Sequence, residues 1–210
     1  MTRSLWIWLG ALPIFACASF AQNADQGKPA PGNPAGSPAD TREAAPGVPA
    51  LGQANVADRA FIRAAMLGGR AEVQFGKLAE TKASSEAVKN FGRRMAHDHG
   101  AANDRLFSLA GRLTVALPPD QLGPEHKILW SRLDAEDGAK FDKDYIDAQI
   151  GDHQKTAQLF EYEIGSGQDA QLKAFASDQL PVIFEHLRMA RVLSDALAIQ
   201  MMAAASPLQK

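Results

Sequence analysis

Only one cysteine, Cys17, stands in the 210 residues, inside an apolar N-terminal run. Once that run is removed, disulfides and thiolate metal sites are excluded. Neither sign of charge dominates. The formal net charge is −2, so no basic field draws the chain to nucleic acid, and the balance does not favour a membrane surface either. Aromatic residues are few, at 7%, while Ala, Leu and Gln are abundant, a composition that leans towards helix. No second long apolar run follows the first, so no transmembrane span is expected in the remainder. A nucleophile motif of the Ser/His/Asp or Cys/His kind is also missing, and nothing in the chain names a substrate.

The first of the segments that are present has the pattern of a signal peptide. Arg3 supplies its positive end, residues 5–20 are almost wholly apolar, and Ser19-Phe20-Ala21 offers small residues for cleavage after Ala21. Ile14-Phe15-Ala16-Cys17 resembles a bacterial lipobox, although Phe15 fits it poorly, so lipidation at Cys17 competes with ordinary cleavage. Both outcomes place the protein in the periplasm or at the outer membrane. Residues 22–56 are rich in Pro, Gly and Ala, without one aromatic. Pro29, Pro31, Pro34, Pro38, Pro46 and Pro49 break any helix, and too little apolar surface is left to offset chain entropy. This segment is expected to be a disordered linker, roughly 30–35 Å across if flexible.

Helical patterning takes over at about residue 57 and continues to about 200, with 201–210 expected as a flexible tail. Four long stretches are predicted: Asp58 to Lys82, Ser84 or Ser85 to Leu113, Phe141 to Ile164, and Asp169 to Ala198. Asn55 or Asp58 is the candidate cap of the first, a serine hydroxyl that of the second, and Asp169 that of the last. Leu117-Pro118-Pro119-Asp120 interrupts the chain, and Pro124 then opens a short extra helix. Pro181 should kink or split the last helix. Apolar residues recur by threes and fours: Phe61, Ala65, Gly68, Phe75 and Ala79; Val88, Phe91, Met95, Ala102 and Leu106; Ile146, Ile150, Ala157 and Phe160; Leu172, Ala176, Ile183, Ala190 and Leu197. Such stripes must be buried against one another, and short links favour antiparallel neighbours. The expected fold is all-α, an antiparallel four-helix bundle.

Each stripe has a gap that holds a metal-competent side chain. Glu72 falls between Gly68 and Phe75, His99 between Met95 and Ala102, His153 between Ile150 and Ala157, and His186 between Ile183 and Ala190. One polar residue per long helix therefore points at the core, where leaving them unpaired costs several kcal/mol. Measured from the turns, their levels differ by roughly 7–10 Å at about 1.5 Å per residue, which permits convergence without demanding it. Every one of these histidines follows an acid, in Asp98-His99, Asp152-His153 and Glu185-His186. Adjacent helix positions diverge by about 100°, so each acid is expected to serve a neighbouring helix, as a ligand or by holding an imidazole N–H. Gln149 and Asn103 lie one turn from His153 and His99 and are candidate supporting donors. His97 and His126 lie off the stripes and read as surface residues, while Met66, Met95 and Met189 read as core filling. Gly68, Gly69 and Gly76 flank Glu72 and suggest close helix approach or room for a bound group.

Ala71-Glu72-Val73, Val88-Lys89-Asn90-Phe91-Gly92, and Met95 with Asp98-His99 through Asn103 form one set of motifs. Tyr145-Ile146-Asp147-Ala148-Gln149 with His153, Leu172-Lys173-Ala174-Phe175-Ala176, and Leu180-Pro181 with His186-Leu187 continue it. Together, over about residues 57–195, they resemble the ferritin-like domain of predicted outer-membrane and periplasmic proteins of unknown function. The resemblance implies a ferritin-like four-helix fold and an envelope location, but no activity. Di-iron proteins of this fold use Glu-x-x-His on two helices. Here Ala96 and Ile183 stand three residues before His99 and His186, so a histidine-rich single-metal site suits the ligand set better. Its candidate ligands are Glu72, His99, His153 and His186, with Fe, Zn, Cu or Mn as the ion. The alternative is a non-enzymatic interaction or stress-related envelope module with structural or pH-responsive core histidines, whose partner would be another envelope or membrane-associated protein.

Overall fold

A computed structural model describes residues 43–45, 48–49 and 54–205. The expected signal peptide, Cys17, most of the expected linker and the last five residues lie outside the described residues. Within the linker span, β1 (Glu43–Ala45) and β2 (Val48–Pro49) pair antiparallel as a short hairpin. Five helices follow: α1 (Val56–Lys82), α2 (Glu86–Arg112), α3 (Pro124–Asp134), α4 (Gly138–Ser166) and α5 (Ala170–Ala205). No described helix is long and apolar enough to cross a membrane.

Local chemistry explains where these helices begin and end. Asn55 caps α1 by accepting from the Asp58 amide at 2.7 Å, and Asp169 caps α5 by accepting from Gln171 and Leu172, both at 2.9 Å. The hydroxyl cap expected at Ser84 or Ser85 is not made. Ser85 occupies the cap position without a side-chain bond, and the buried Asp142 carboxylate of α4 accepts from the amides of Ser84 and Ser85 at 3.0 and 2.9 Å. The Ser84 hydroxyl is itself a donor to that carboxyl group, at 2.5 Å, rather than an acceptor for the helix. At the other end of α2 the Val115 amide reaches back to Ala110, with Thr114 at φ 52° in the left-handed position where glycine is usual. Gly138 takes φ 65° at the start of α4, a conformation that favours glycine. Pro181 does not split α5, which stays one helix on both sides of it and runs on to Ala205.

The four long helices form a bundle in which α1 packs on α2 and α4, and α5 on α4 and α2. Glycines set the closest approach of α1 to α2. A Cβ on Gly76 would stand 2.5 Å from the Gly92 carbonyl oxygen, and one on Gly69 would strike the Asn103 amide. The proline-bearing crossover is tied back onto α1, where Arg70 donates to the Pro118 carbonyl at 2.9 Å and Arg63 to that of Ala116 at 3.1 Å. Short α3 lies on the bundle with Trp130 stacked on Phe75, centroids 6.1 Å apart.

The interior is divided in two. One apolar cluster gathers Phe75, Phe91, Met95, Phe141, Tyr145 and Ile146 with Ala190 and Leu197. The other gathers Phe61, Ile62, Met66, Leu106, Phe160, Leu172, Phe175 and Ile183. Burying a Phe or Leu contributes about 1.5–3 kcal/mol, so either cluster alone is a substantial core. Along α2, α4 and α5 the crossing from one cluster to the other falls at the polar residue in the stripe, and along α1 it falls just before Glu72.

Candidate metal centre

That crossing is where the three histidines meet. His99 from α2, His153 from α4 and His186 from α5 have ring centroids 5.5, 5.4 and 5.4 Å apart, and each offers a nitrogen within 4.8 Å of the other two. His153 and His186 are 1% exposed, and His99 is half-buried. A second group shares His153: Glu72 of α1 and Asp152 of α4 each bring an oxygen within 4.8 Å of it and of each other. Three of the four residues read from the sequence are thus united, and the fourth, Glu72, stands beside them with a carboxylate partner.

Hydrogen bonds determine which nitrogen each ring presents. His153 Nδ1–H donates to the Gln149 carbonyl at 3.0 Å, leaving the lone pair on Nε2. His186 Nε2–H donates to Asp98 Oδ2 at 2.9 Å, leaving Nδ1 bare, buried and without a hydrogen-bond partner among the described residues. His99 Nε2 lies 3.4 Å from His153 Nε2, which can only accept, so His99 donates there. For all three to face one cation, that His99 proton must move to Nδ1. The spacing of acid before histidine is explained by the same contacts. Asp98, next to His99 on α2, holds His186 on α5, and Asp152, next to His153, meets Glu72 on α1. Glu185 does neither and pairs with Arg188 at the surface.

Electrostatics favour neutral rings. Burial first, then the neighbouring imidazoles, push His99 well below its ordinary value and His153 down to about 4. Burial lowers His186 as well, although Asp98 pulls it up. Burial alone would raise Asp98, but hydrogen bonds from Arg94, His97 and His186 more than offset it, so this carboxyl lies well below the usual range. Glu72 goes the other way. Burial and then the neighbouring Asp152 carboxylate raise it well above normal. Neutral imidazoles with free lone pairs are the state in which histidine binds metals.

Other polar atoms here lack protein partners. Glu72 Oε2, Gln149 Oε1 and the Tyr145 hydroxyl are buried with no hydrogen bond among the described residues. Buried polar groups are nearly always paired, so an accumulation of orphans around one cluster fits a bound cation. Tyr145 escapes sequence reading because it continues an apolar stripe. Only burial and the influence of Glu72, which together raise its hydroxyl well above the usual range, reveal its position. His126, read as a surface residue, is instead half-buried against Phe75, because α3 folds that face inward. His97 is exposed, as expected. Met66 and Met95 are buried, and Met189 packs against the core.

Fold and site together define an all-helical bundle protein with a buried three-histidine group and an adjoining Glu/Asp/His group that could hold a metal ion. Over residues 43–193 the chain matches a family described as a domain of unknown function, DUF4142, and it belongs to that family. No curated protein and no solved structure matches it.

Proposed function

We propose that this is an exported protein of the bacterial envelope whose bundle, antiparallel and ferritin-like, holds one transition-metal ion. His99, His153 and His186 are the nitrogen ligands, and Glu72 with Asp152 forms the carboxylate side of the site. The observation that carries this reading is the supported geometry of the rings: three imidazoles from three helices, two of them locked by the Asp98 carboxylate and the Gln149 carbonyl. Second-sphere bonds of this kind orient metal-binding histidines. A single ion follows from His153, which belongs to both groups but has one lone pair to give. Three imidazoles with carboxylate oxygens nearby suit Zn, Fe, Cu or Mn. Opposed helix directions are supported by the contacts of Gly76 with Gly92 and of Gly69 with Asn103, since α1 positions fall as α2 positions rise. The N-terminal signal pattern supports the envelope location.

The test is metal content of the mature protein, purified without a metal-binding tag, beside the His99→Ala/His153→Ala/His186→Ala variant. Close to one ion per chain is expected, lost in the variant while far-ultraviolet circular dichroism still reports helix. No metal after incubation with Fe, Zn, Cu and Mn sinks the reading. In that case the three imidazoles held neutral by burial favour the second reading, a pH-responsive core in a non-enzymatic envelope module.

A further inference from the structure

A cavity of about 50 Å³ lies against the cluster, with Glu72, His99 and His186 in its wall. The rest of the wall is chiefly apolar, with Ala65, Ala102, Leu106, Phe160 and Ile183 prominent. A water needs roughly 10–15 Å³, and a cavity that accepts benzene measures about 150 Å³. The space therefore suits a molecule of two or three heavy atoms and excludes rings, sugars and amino acids. No Lys or Arg lines it among the described residues, whereas Glu72 and Asp98 do. The wall itself offers an anion no cationic side chain, and its chiefly apolar lining favours a neutral guest.

Glycine use on α1 supports a built cavity. Gly69 and Gly76 are explained by close packing on α2, since a Cβ on either would collide. Gly68 has no such reason: a Cβ there would meet nothing within 4 Å, and the residue borders the cavity. Glycine weakens a helix by about 1 kcal/mol relative to alanine, and an unfilled space forfeits dispersion contacts as well. Both penalties are accepted at the point where the void meets the histidines.

We propose that this cavity admits a small uncharged molecule of two or three heavy atoms to the histidine cluster, where it ligates the bound metal. Its ligand chemistry rests on the metal reading above, but the pocket itself can be tested without metal. In metal-free protein under xenon pressure, methyl resonances of Leu106 and Ile183 are expected to shift, and Gly68→Leu or Ala102→Leu to abolish the shifts. In protein loaded anaerobically with ferrous iron, nitric oxide serves as the neutral diatomic probe, followed by electron paramagnetic resonance. Either filling variant should keep its iron and its helix content but bind nitric oxide at least tenfold more weakly. Xenon that moves no cavity methyl, or nitric oxide binding unchanged in both variants, overturns the proposal. If iron is not taken up, the metal reading fails and the xenon result alone decides the pocket.

Discussion

Two carboxyl groups show how position, rather than residue type, assigns a role. Asp98 is kept ionised by Arg94, His97 and His186 and in return fixes the tautomer of His186. Asp98→Asn keeps the shape but weakens that grip, and metal affinity is expected to fall roughly 10–100-fold with stoichiometry unchanged. Competition against a chromophoric chelator measures this. Glu163 is buried beneath the α4–α5 turn, with both carboxylate oxygens unpartnered among the described residues. Burial, then the Asp58 charge, raise it to about 7. Its folded value exceeds its unfolded one of about 4.3, so the folded state holds the proton more tightly. The stabilisation is complete at low pH and is lost as pH rises through the window between the two values. Glu163→Gln should therefore flatten stability between pH 5 and 8.5 and raise it on the order of 2 kcal/mol at pH 8.5, read by urea unfolding. A variant as pH-dependent as the parent would remove the assignment.

Helix α1 carries glycines of opposite meaning, and alanine substitution should separate them. At Gly76 a methyl group meets the Gly92 carbonyl oxygen at 2.5 Å and the Ala96 backbone nitrogen at 2.9 Å, neither of which can swing aside. Gly76→Ala is expected to destabilise by about 1–3 kcal/mol as α1 and α2 are levered apart. At Gly68 the methyl enters open space, and Gly68→Ala should stabilise by up to about 1 kcal/mol. Denaturant midpoints of the two variants, moving in opposite directions, are the check; a shared direction would mean that helix propensity or crowding alone governs both. The four long helices, short α3 and the Asp169 cap are legible in the sequence because they follow from local spacing and capping chemistry. The start of α2 at Ser85 is legible too, but not the hydrogen bonds made there, since their acceptor, Asp142, comes from 57 or 58 residues away.

For the molecule as a whole, a polar layer between two apolar clusters has a thermodynamic consequence. A ligand that binds only the folded state adds about 2.7 kcal/mol at a concentration 100 times its Kd. For a chain of this size that is roughly 5–10 °C in Tm. Zn, Fe, Cu or Mn should therefore raise the melting temperature of the metal-depleted protein, with no effect on the triple histidine variant. Equal shifts in both proteins would point to binding elsewhere.

Local pattern alone is enough for the helices, the position of Glu72, His99, His153 and His186 in the apolar stripes, and the acid before each of those three histidines. These properties are local: a period near 3.6 and the expense of burying polarity can be read along one strand of text. Only the tertiary structure decided that Asp98 serves His186, that Asp152 serves Glu72, and that His153 has a single lone pair to offer. It also decided which glycines pack and which one borders a cavity. Those outcomes depend on how four helices slide and rotate against one another. That is a balance of many weak contacts between residues distant in sequence, and no single segment records it.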